Sequence, residues 1–142
     1  MAETLGSLVD KLTIKDLREY HLTEMLNLKN GKFSDQELKS KIDVVSCQKT
    51  ALISEIDAFI KAAMAGGIPL KDEKVKLYNA ADTIGRIPAT DSIGAAVSGL
   101  AQKNLELWHL EDEARRKDVA LEVIGTVKRK IDLVNQQRND YI

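Results

Sequence analysis

Several things are scarce in this chain, and each shortage excludes something. A single cysteine among 142 residues rules out an intramolecular disulfide framework and any cysteine-cluster metal site. It fits a reducing compartment, so a cytoplasmic location is the expectation. Charge of one sign is missing as well. Lys and Arg number 21 against 22 Asp and Glu, a formal net charge of -1, so no global field marks the chain for nucleic acid or for an anionic membrane. No run approaches the roughly eighteen apolar residues of a membrane span, and the opening MAETLGSLVDKL lacks the cationic-then-apolar order of a signal peptide. Aromatics make up 4%, and no phosphate-loop or dinucleotide fingerprint occurs. Alternation at period two is absent, which argues against a sheet.

What is present is helical period. Only two prolines occur, Pro69 and Pro88, so the pieces before and after them are free to be helical hairpins. In the first piece Leu5, Leu8, Val9, Leu12, Leu17, Tyr20 and Met25 recur at spacings of three and four up to about Leu28, where Asn30-Gly31 supplies a left-handed stop. Ser34 and Glu37 form a capping box that opens a helix carrying Leu38, Ile42, Val45, Leu52, Ile56, Phe59 and Ala63, with Gly66-Gly67 at its end. In the last piece Thr90, Asp91 and Ser92 are candidate caps for Ile93, Val97, Leu100, Leu105, Trp108 and Leu110. Asp118 is the candidate cap for Ala120, Ile124, Val127, Ile131, Val134 and Tyr141. A short amphipathic helix is expected over Lys71 to Asp82, using Val75, Tyr78 and Ala81, before a turn from Gly85 to Pro88.

The two hairpins read as copies. Sliding the chain by 88 residues lays Gly6, Val9, Leu12, Lys15, Leu17, His21 and Leu22 on Gly94, Val97, Leu100, Lys103, Leu105, His109 and Leu110. With one more residue of loop, Lys39, Lys41, Ile42, Asp43, Val45, Gln48 and Ile53 lie on Lys128, Lys130, Ile131, Asp132, Val134, Gln137 and Ile142. Shared leucines follow from amphipathicity alone, whereas His, Asp and Gln recurring in register do not. The expected fold is therefore all-α, a four-helix-bundle-like arrangement of two duplicated antiparallel hairpins related by an approximate two-fold axis. It is a single domain over 1–142, with one hairpin over 1–66, a connector over 67–90 and the second hairpin over 91–142. The second copy ends about ten residues earlier, so part of the Ile56 to Ala63 stripe is expected to lack a partner within the chain. A homodimer covering it is the expectation.

Over residues 105–142 the chain resembles a bacterial all-helical family known as a domain of unknown function. The residues that carry the resemblance are Leu107, Trp108, His109, Glu111 and Asp112, then Lys128, Ile131, Asp132, Asn135, Gln136, Arg138, Asn139 and Asp140. In the first hairpin Tyr20-His21-Leu22 and Lys41-Ile42-Asp43 agree, while Cys47 and Thr50 depart. The resemblance implies a helical fold and no catalytic role.

Polar chemistry collects at matched positions. His21 and His109 lie at the border of the apolar arc, with Glu24 and Asp112 three residues on; Tyr20 and Trp108, the residues before them, are expected in the core. Lys49 and Arg138 interrupt the apolar stripes at equivalent places, and Glu24, Asp112 or the His rings are their expected partners. The candidate interior cluster is thus His21, Glu24, Lys49, Glu106, His109, Asp112 and Arg138. One reading makes it a structural layer that fixes register, as a buried polar residue does in a coiled coil. Another lines a cleft for an anion. A third holds a divalent ion with Glu106, His109, Asp112, His21 and Glu24, but only Glu106 to His109 has the Glu-x-x-His spacing of di-metal bundles, and Arg18 stands at the partner position. No cofactor is expected and no metal is favoured. The basic clusters Arg115-Arg116-Lys117 and Lys128-Arg129-Lys130 are surrounded by acids and lack interleaved aromatics, so they read as solvated faces. No catalytic set is complete. The chain reads as a non-enzymatic helical protein that associates with itself and with a protein partner, and the alternative is a small metal- or anion-binding bundle.

Overall fold

The computed structural model describes residues 3–29, 31–70, 87 and 90–142. Among these residues the fold is all-α, with four helices: α1 (Leu5–Leu28), α2 (Asp35–Met64), α3 (Ile93–Ala114) and α4 (Leu121–Tyr141). The chain divides into two compact units, Met1–Asp72 and Glu73–Ile142. Helix α1 packs on α2 in the first, and α3 on α4 in the second. The expected helix over Lys71 to Asp82 and the turn from Gly85 to Pro88 fall outside the described residues, Ile87 excepted.

Local chemistry places the helix ends. Thr4 caps α1 by accepting the Ser7 N–H. The left-handed residue that closes α1 is Lys29 (φ 50°), whose N–H bonds to the Met25 carbonyl at 3.0 Å. The stop therefore falls before Asn30-Gly31, where it was expected. A Cβ on Gly31 would stand 2.9 Å from Met25 Cε, the free end of a flexible side chain. The capping box of α2 forms as read: the Ser34 N–H donates to Glu37 Oε2 at 2.8 Å and the Glu37 N–H to Ser34 Oγ at 3.2 Å. The bond from the Ser34 N–H, and after it the Ser34 hydroxyl, hold the Glu37 carboxyl below its ordinary pKa. At the far end Gly66 takes φ 74°. Its N–H reaches the Ala63 carbonyl and that of Gly67 reaches Ala62, the paired bonds of a Schellman motif. Ser92 caps α3 through the Ala95 N–H.

Asp118 does not cap α4. Its two oxygens accept from Arg116 Nε and Nη2 at 3.0 and 2.8 Å, and Ala120 sits at the N-cap with no side-chain bond.

On the second helix of each hairpin two buried positions repeat in register. On α2 they include Leu38 and Val45, and on α4 the counterparts Val127 and Val134; Lys49 and Arg138 are half-buried at matching places. On the first helix of each hairpin, Leu12 and Leu22 match Leu100 and Leu110. In the second unit Leu110, Val127, Ile131 and Val134 form one cluster, with Leu107 and Ala114 against it. The expected stripes are rotated from the true seam at several places. Tyr20 is 65% exposed, and Ile93, Val97 and Leu105 are exposed too; Trp108 is half-buried. The reason is that polar residues occupy seam positions: Glu19 lies on the arc of Leu8, Leu12, Leu22 and Leu26, so counting apolar residues alone turns the wheel. The Ile56 to Ala63 stripe is not bare. Phe59 is buried and Ile56 and Ala63 are half-buried, while Ile60 and Met64 are exposed.

Candidate functional site

Mid-way along the first hairpin an ion triad crosses the seam. Lys49 on α2, its side chain 22% exposed, donates to Asp16 Oδ1 at 2.8 Å and to Glu19 on α1. Beside it Lys15 Nζ donates to Gln48 Oε1 at 2.6 Å. The hydrogen bond to Asp16, then that to Glu19, raises the Lys49 pKa above the ordinary lysine value. These partners replace the expected Glu24, Asp112 and His rings. In an antiparallel pair, Lys49 falls opposite the turn from Asp16 to Glu19, more than a turn before Glu24. Asp16 and Glu19 were missed by motif reading, although one signal was present: a carboxylate on the leucine arc needs a cation across the seam, and Lys49 is the cation on the facing stripe.

His21 is half-buried. Its Nδ1 lies 3.4 Å from Glu24 Oε2, and the Tyr20 ring meets it edge-on at 5.3 Å between centroids. Its counterpart His109 is exposed and makes no hydrogen bond or ion pair among the described residues. Asp112 accepts from Arg115 Nη1 at 3.4 Å, and Glu106 is held by Lys103 at 3.2 Å and Lys130 at 3.8 Å. Arg138 is half-buried at the place of Lys49. The positions matching Asp16 and Glu19 are the buried Asn104 and the half-buried Leu107, so the triad is not duplicated.

Of the expected cluster, then, His21 and Glu24 come together, Lys49 joins a different pair, and Glu106 and Asp112 each pair with neighbouring cations. No group of three or more His, Cys, Asp or Glu side chains converges as a metal ion requires among the described residues. The outer arc of α1 borders an open groove of about 560 Å³ whose lining includes Asp16, Glu19, Tyr20, Glu24 and Leu28. It offers carboxylate acceptors, the Thr23 hydroxyl and the Asn27 amide beside the Tyr20 ring and Leu28.

Residues 95–142 match the model of a family described as a protein of unknown function, DUF4254. The DUF4254 match begins at Ala95 in the first turn of α3 and runs through α4, so it covers the second hairpin and bears out the resemblance of that region to a family of unknown function. No curated protein and no solved structure matches the chain. Among the described residues no helix is long and apolar enough to cross a membrane.

Proposed function

We propose that the chain is a non-enzymatic cytoplasmic helical module that acts through protein association, beginning with a second copy of itself. The observation that carries this reading is the amount of large apolar surface the hairpins leave open. Met64 is 86% exposed and Leu121 85%, and Tyr20, Leu28, Val44, Ile93 and Leu105 are exposed as well. Scattered single residues of this kind are ordinary on a surface, but helical arcs of them mark places where another helix packs. The polar groups support the same reading: Lys49 is spent on Asp16 and Glu19 across the α1–α2 seam, and Glu106 and Asp112 are each spent on a neighbouring cation. Light scattering of the purified protein across the micromolar range tests it. A concentration-dependent dimer supports the module; a monomer throughout removes self-association from it.

A further inference from the structure

We draw no further inference here: the strongest candidate, the open groove along the outer arc of α1 where Asp16, Glu19 and Glu24 stand beside Tyr20 and Leu28, is a cluster of carboxylates already facing Lys49 and His21, and nothing in the structure shows what covers the two apolar side chains.

Discussion

Each hairpin has its own seam, α1 on α2 and α3 on α4, and the two seams differ in how their middles are held. Where the first places Lys49 between Asp16 and Glu19, the second places Arg138 on the same stripe, with Asn104 and Leu107 at the positions of the two acids. The outer faces differ too. On α1 the arc of Asp10, Leu17 and His21 is covered while Asp16, Tyr20 and Glu24 are open; on α3 the arc of Leu105 and His109 is open, and Asn104 and Trp108 are covered. The matched positions therefore share burial on the second helices, Leu38 and Val45 with Val127 and Val134, and do not share the surroundings of any single polar group. Matching identity at His21 and His109 says that the residues share a helix position and nothing about a shared role.

Breaking the seam gives the largest expected effect. Leu100 is 2% exposed, whereas its counterpart Leu12 is half-buried. Leu100→Ala is expected to cost about 3 kcal/mol, cavity and transfer together, and Leu12→Ala about half of that. Denaturant unfolding of the two variants measures the difference; equal losses would mean that the two seams are packed equally well at this point.

Next in size is the triad. Lys49→Met leaves two partly exposed carboxylates without their cation and is expected to cost about 1 kcal/mol. The stronger test is alkaline. Folding raises the Lys49 pKa above the ordinary value of 10.5, so its contribution is complete below that value and fades as pH rises through the higher folded value. The stability difference between parent and Lys49→Met is expected to be constant near neutrality and to shrink above pH 10.5. In Lys49→Arg, which carries the residue type of Arg138, it is expected to persist through the same range, because guanidinium stays charged there. A difference that shrinks between pH 7 and 9 would point to another titrating group.

The fold was legible in the sequence because its determinants are local or periodic. Ser34 with Glu37, Ser92 and Gly66 act within one turn, and the apolar period runs over whole helices. What was not legible depended on which side chains meet across the seam. Glu19 counted as a polar interruption by itself and becomes a seam residue only once Lys49 faces it. Asp118 has the right residue type and position for a cap, yet Arg116 two residues earlier offers two charged donors and takes it. The candidate cluster was assembled from matched positions, which report register, and its members divided among nearer partners.

Caps supply a smaller effect in opposite directions. Ser34→Ala removes the Oγ that accepts the Glu37 N–H, keeps the backbone N–H that donates to the Glu37 carboxylate, and is expected to cost about 1 kcal/mol. Ala120→Ser adds the missing acceptor at α4 and is expected to contribute about 0.5 kcal/mol, a rise of one or two degrees in melting temperature. A loss on Ala120→Ser would show that the first turn of α4 is already satisfied by other groups.

The smallest effect separates two glycines of the second hairpin. The first hairpin carries Lys11 and Gln36 where the second carries Gly99 and Gly125, so helix formers are tolerated at both places in the shared architecture. Gly125 has open space beside it, but a Cβ on Gly99 would lie 2.3 Å from Tyr141 Cζ and 2.6 Å from its Oη. Leu52, the counterpart of Tyr141, is smaller, and Lys11 pairs with Glu3 instead. Gly125→Ala is expected to stabilise by about 0.5–1 kcal/mol, the ordinary gain of alanine over glycine inside a helix. Gly99→Ala earns the same backbone gain but must drive the Tyr141 ring off α3, so its net change is expected to be zero or a loss. Tyrosine ring resonances shift only in that variant. Equal stabilisation by both changes would mean that the ring does not rest on Gly99, and the two hairpins would then be alike at that end.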